Sequence, residues 1–468
     1  MLVPEFWGRR ASLLRARALH EMSEKGDVVA LDTLDAVDTL YAANVGGDLL
    51  ASMKLGSDAL RAVVLYRTKK TADAEKMLVS INERRPFSAS VRRLTSSIRM
   101  LFDADRGKRI ARLREQAPFN PGTLRLMLMM ALQGGDFENA LLYADQISFD
   151  LPKGRGGWTL VGDAERKYDE ITLRAMIRGG RAYSLLALGR TEESAAEFKG
   201  ARDEVSFAIE PPAPLPDGRK HSKKVQQDYE KRVAAGDRAT ATLDDWARAI
   251  ALRMRAAKMT MKEFGAEAER PRAEALVVLP DLLSQVRTSD LAEARKIETA
   301  IEELGRINDA GLTKAFQISF ADLTRMLPQP ETDEGRPKMR NEGSNFWRTD
   351  LEGYRVMTAD DPALVNVRMG SLSASPAMVE EATLLIAANH AQALGKDAFV
   401  IESAQMIQRS ITTYGMYIGS STANSGYEYR LLIRPISLVA GEDASRHWRA
   451  VKVSEVQATL ATKYPPAK

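Results

Sequence analysis

From Leu13 to about Leu327, apolar residues recur three and four positions apart, broken only by short stretches such as "SEKGD", "NVGGD", "RTKKTAD", "LQGGDFEN" and "ALGRTEE". That period is the face of an amphipathic helix, so this part of the chain reads as helix after helix. Connections this short make sequential helices antiparallel neighbours. With 468 residues, 44% of them hydrophobic, the chain can bury a sizeable core.

The helices are regularly spaced. "NERRPFSASVRRL" (Asn82–Leu94) and "REQAPFNPGTLRL" (Arg114–Leu126) align Pro86 with Pro118 and Phe87 with Phe119, 32 residues apart. A helical hairpin that cannot bury its apolar face alone does so by stacking on its neighbours, and a period near 34 residues marks such arrays. One unit places Ala182, a turn at Gly189, then Phe198 and Ala201. A second runs Leu124, Leu128, Gly134-Gly135, Ala140, Ala144 and Pro152. A third has Ala62, the turn "RTKK", Ala74, Leu78 and Pro86, with lysine where glycine is expected. Ser88 to Asn120 is one repeat long but keeps little of the pattern.

These units resemble the tetratricopeptide repeat (TPR), in which small residues, a turn and a closing proline recur together. The resemblance covers roughly a third of the chain and implies an α-solenoid with an inner groove. On that alignment the first helices present Ala59, Val63 and Tyr66, then Arg125, Met129 and Leu132, then Tyr183 and Leu186. Such a groove, apolar with methionine and tyrosine, suits an amphipathic helix or an extended peptide from a protein partner. The lysine and asparagine positions with which some TPRs clamp a terminal carboxylate are missing. The alternative is that the helices after Pro216 cover the groove themselves.

"IEPPAPLPDG" (Ile209–Gly218) interrupts the pattern as a stiff inter-helix loop, because its prolines cannot continue a helix. Long amphipathic segments then resume, including one with Ser289 placed as a cap, and form a helical extension. After Leu327, "PQPETDEGRPKMRNEGSN" reads as a linker or long surface loop. Strand patterns follow at Tyr354, Leu364, Ala398 and Tyr427, with one helix capped by Ser375, opened by Pro376 and ended by Gly395. "GSSTANSG" (Gly419–Gly426) is expected to be the loop joining the last two strands. The expected fold is thus mainly α, an α-solenoid of TPR-like helical hairpins followed by a small α+β domain. Its divisions are helical repeats over 1–208, a helical extension over 209–327, a linker over 328–349 and the α+β domain over 350–468.

The C-terminal part also resembles a family of small proteobacterial envelope lipoproteins. The corresponding residues are Tyr354, Val356, Gly370, Val379, Glu380, Ala387, Ala388, Gly395, Asp397 and Phe399. The chain departs from that family in having no cysteine to lipidate. The resemblance implies a compartment, periplasmic or envelope-associated, with the cytoplasm as the alternative, and no activity. The start, "MLVPEFWGRRASLLRARALHEM", is Arg-rich without the continuous apolar segment of a secretory signal. The expectation is a chain that stays inside or one whose signal is not in this sequence.

Chemistry is sparse. The absence of cysteine excludes thiolate metal sites and a catalytic Cys. No P-loop, HExxH, GxSxG or EF-hand pattern occurs, and the four histidines are far apart in sequence, so no catalytic residue, metal site or cofactor is assigned. A net charge of +4 over this length is a weak field and gives no reason to assign a nucleic-acid partner. "GRKHSKK" (Gly218–Lys224) reads as a solvated loop, "GRGGWTLVGD" (Gly154–Asp163) as a glycine loop anchored by Trp158, and Glu302-Glu303 and Glu380-Glu381 as solvated helix faces. No apolar run reaches the ~20 residues of a transmembrane helix. The reading is therefore a non-enzymatic interaction scaffold at a bacterial envelope. Two alternatives stand beside it: a structural subunit of a larger complex, and an enzyme or small-ligand binder using Arg368, Tyr414, Tyr429, Arg430 and Arg434 of the C-terminal domain.

Overall fold

The computed structural model describes residues 27–103, 105–149, 161–215, 221–268, 325–341, 352–415, 419–439 and 443–466, with isolated positions between 281 and 299. The protein is mainly helical, with a five-stranded antiparallel sheet near the C-terminus. It forms two compact units: residues 1–123, 150–156 and 316–468 make the first, residues 124–149 and 157–315 the second. The early helices and the α+β region, assigned to separate domains on sequence, thus share one unit. The expected cap at Ser289, the solvated Glu302-Glu303 pair and Trp158 lie outside the described residues.

The first described helices of the first unit are α1 (Asp27–Asn44), α2 (Gly47–Arg67), α3 (Thr71–Arg84), α4 (Ala89–Phe102) and α5 (Arg106–Gln116). Ser88 and Asp105 cap α4 and α5, accepting from the backbone N–H groups of Val91 at 3.3 Å and Lys108 at 2.8 Å. Leu60, Val64, Leu78, Ile81, Leu94 and Ile98 make a continuous core through α2, α3 and α4. Phe87 and Phe119, paired by the sequence spacing, meet edge to face with ring centroids 6.1 Å apart.

The second unit holds α6 (Thr123–Gln133, from Leu124), α7 (Phe137–Ala144), α8 (Val161–Ala187), α9 (Thr191–Ala208), α10 (Lys223–Ala256) and α11 (Met261–Ala268). Mid-helix glycine lowers helix stability, yet α8 carries Gly179-Gly180. The reason is close approach: a Cβ on Gly179 would lie 2.1 Å from Cδ1 of Trp246 on α10. Arg174, Arg178 and Arg181 on α8 pair with Glu197 and Glu204 on α9 at 2.5 to 3.0 Å, a ladder that fixes the two helices in register.

Three helix connections share one turn. After α2, α6 and α8, the residues Lys69, Gly135 and Gly189 sit in the left-handed region at φ of 63°, 69° and 78°. In each, the next N–H reaches back five residues: Lys70 to Leu65, Asp136 to Ala131 and Arg190 to Leu185, at 2.8 to 3.0 Å. This is the Schellman motif, which satisfies the last helical carbonyls.

The sheet belongs to the first unit and has the order β1 (Gly353–Thr358), β2 (Val365–Ser371), β4 (Gly419–Ile436), β3 (Ala398–Gly415), β5 (Val451–Lys452). Helix α12 (Pro376–Ala393) covers one face, burying Met378, Ala382 and Leu385 against Val367, Tyr429 and Leu431; α13 (Val453–Leu460) packs beside it. Ser375 accepts from Met378 N–H at 3.2 Å and Gly395 takes a φ of 70°, as the sequence indicated. "GSSTANSG" is a correction: it is not a loop but part of β4, paired with β3 down to Gly415 opposite Gly419. Small polar residues suit a turn by composition, but ladder pairing along β3 extends the strand through them.

Candidate functional site

Half of the expected groove's eight positions are buried. In the first unit Ala59 and Val63 are buried in the helical core, and Tyr66 donates to Glu75 at 2.5 Å while stacking on Phe102. In the second, Leu132 and Tyr183 are buried, Met129 and Leu186 are half-buried, and Arg125 is exposed. Tyr183 lies between Phe137 and Trp246, with ring centroids 5.8 and 5.9 Å away, and accepts from Arg253 at 3.1 Å. Burial pushes its hydroxyl pKa up to about 12. Trp246 and Arg253 belong to α10, so at Tyr183 the helix after Pro216 is the cover. The physical reason is size: a large aromatic ring on α8 is buried by the apolar helix that packs against it.

The four described residues of the C-terminal alternative do not form one site. Arg368 and Arg430 face each other across β2 and β4, both buried, with Glu428 between them. Tyr429 lies in the core on the α12 face, where burial raises its pKa. Arg434 pairs with Glu402 at 3.0 Å, a carboxylate that also takes Arg449 at 2.7 Å. The Tyr414 side chain lies outside those described.

Glu380 and Glu381 are a further correction, since neither is solvated. Glu380 accepts from Ser88 Oγ at 2.9 Å, Ser90 N–H at 3.0 Å and Ser90 Oγ at 2.8 Å. Glu381 accepts from Tyr464 at 2.7 Å and Lys463 at 3.0 Å and pairs with Arg85, which also pairs with Glu331. Ser375 donates to Glu331 at 2.5 Å, and the Glu331 N–H donates to Ser52 at 3.0 Å. Burial raises the pKa of Glu331 and Glu380; at Arg85 burial works to lower it, but Glu381 and Glu331 outweigh that and raise it. These charges are spent on one another, so the cluster is a clasp between the helices and the α+β region. Glu331 lies in the segment read as a linker, which is anchored here and through Arg336 on Asp48 at 2.9 Å.

An open apolar site does occur in the second unit. Near the C-terminus of α9, a crevice of about 420 Å³ lies between α8, α9 and α10. Ile171, Ala175, Ala201, Val205 and Ala208 form its floor, and Phe207 at its edge is 75% exposed. Glu170, Arg174, Glu204, Asp228 and Arg232 rim it, with Arg174 on Glu204 at 3.0 Å and Arg232 on Asp228 at 3.3 Å. The local sequence explains the opening. Alanines at 175, 201 and 208 leave volume unfilled, and "EPP" at Glu210–Pro212 ends α9 before it can extend over the gap. The signal available in sequence was a phenylalanine beside that proline break. Among the described residues, no group of three or more His, Asp or Glu is placed to hold a metal ion, and no helix is long and apolar enough to cross a membrane.

No protein-family model, curated protein or solved structure matches the chain. The functional reading therefore rests on this geometry and on the chemistry of the residues themselves.

Proposed function

We propose that the protein is a non-enzymatic interaction scaffold that holds a protein partner by an amphipathic helix or extended peptide docked in the crevice of α8, α9 and α10. The observation that carries the reading is the unfilled alanine-lined crevice with exposed Phe207 at its edge and five charged residues around it. An apolar side chain of the partner fills the floor, and its polar flanks meet the rim. The shared left-handed turns after α2, α6 and α8 support a TPR-like array of hairpins as the framework. An envelope location rests on the lipoprotein resemblance alone.

The test is capture from the native cell fraction by the full-length protein, run beside Phe207→Glu and Ala201→Trp. Phe207 is exposed, so its substitution leaves the fold intact. Loss of a specific partner with both variants supports the reading. Equal capture by all three proteins contradicts it.

A further inference from the structure

A second cavity, in the first unit, has a different character. It measures about 420 Å³ and lies between edge strand β1, the C-terminal half of α12 and the chain after α13. Val356, Leu385, Ile386 and Ala393 supply apolar wall, while Asn389 and His390 bring polar atoms to it. None of its lining residues is an Asp, Glu, Lys or Arg, although 28% of the chain is charged. A charged ligand would find no counter-ion among the lining residues, so the cavity favours an uncharged one.

The polar groups point to what it accepts. Asn389 Oδ1 takes a hydrogen bond from Gln457 at 2.9 Å, which leaves the amide N–H donors for a ligand. The His390 ring has no hydrogen-bond partner among the described residues, and desolvation lowers its pKa below the ordinary 6.5. At neutral pH it is an uncharged imidazole, one nitrogen donating and the other accepting. A hydroxyl, which also does both, complements either tautomer. The volume falls within the range of small-molecule sites, about 300 to 1,000 Å³.

We propose that this cavity binds a small uncharged amphiphile, with its apolar body against Leu385, Ile386 and Val356 and a hydroxyl or amide group on His390 and Asn389. The site is independent of the crevice in the other unit, and the failure of either reading leaves the other standing.

The chain's four histidines make the test direct. Ring-labelled histidine in the full-length protein gives an NMR spectrum in which the His390 signal is assigned by its loss in His390→Gln. The probes are benzyl alcohol and its charged counterpart, benzoate. The expected result is saturable movement of the His390 signal with benzyl alcohol and at least about tenfold weaker response to benzoate, because of the uncompensated charge. Ala393→Trp, at an exposed position on the cavity's edge, weakens the benzyl alcohol response at least about tenfold by filling the space, with the other histidine signals unchanged as the check on folding. No saturable movement, an equal response to benzoate, or an unaffected Ala393→Trp variant would overturn the proposal.

Discussion

Glu380, on α12 of the α+β region, accepts a hydrogen bond at 3.0 Å from the backbone N–H of Ser90, in the first turn of α4. A buried carboxylate at a helix N-terminus satisfies an otherwise orphaned donor and meets the positive end of the helix dipole. Burial nevertheless dominates its titration and holds the folded-state pKa above the ordinary 4.5. The folded state then binds the proton more tightly than the unfolded chain. Stability from this group is greatest at low pH and falls as pH rises from about 4.5 through the raised folded-state value. Replacement Glu380→Gln removes that fall. The difference between wild-type and variant unfolding free energies, followed by urea titration across pH, should slope by up to about 1.4 kcal/mol per pH unit, the limit for one proton. Parallel curves would contradict the assignment.

Lys69 holds a left-handed conformation that Gly135 and Gly189 hold without a Cβ. That conformation costs a side-chain-bearing residue roughly 1 kcal/mol, so Lys69→Gly is expected to stabilise the first unit by about that amount, less the entropy that glycine adds to the unfolded chain. Lys69→Val should destabilise it. Thermal unfolding of the full-length variants reads both.

Gly179 is a contact rather than a hinge. A methyl group there overlaps Trp246, so Gly179→Ala should destabilise the second unit by about 1 to 3 kcal/mol despite alanine's better helix propensity. Quenching and a shift of tryptophan emission would report displacement of Trp246. A stabilised variant would show that α10 yields easily at this point.

Local features were legible in the sequence and distant partnerships were not. Ser375, Pro376 and Gly395 delimit α12 because caps and breakers act within a few residues. Strands β1 and β2, the start of β3 at Ala398 and the part of β4 from Tyr427 were legible as strand patterns, whereas Gly419–Gly426 read as a loop. Glu380 looked like a helix-surface acid because its partners Ser88 and Ser90 lie 292 and 290 residues away. Tyr183 was assigned to an open groove for the same reason: Trp246 and Arg253, which cover it, belong to a later helix. The crevice beside Phe207 went unseen because an unfilled volume is a property of three helices together, not of any one pattern.

The central claim, that a partner docks beside Phe207, is tested most directly by a photo-crosslinking amino acid at Ala208, which lines the crevice, compared with one at Val439, which is 92% exposed in the other unit. The account predicts a discrete partner adduct from position 208 in the native fraction, absent when Phe207→Glu is introduced, and none from position 439. Adducts of equal yield at both positions, or an adduct at 208 that survives Phe207→Glu, would contradict it.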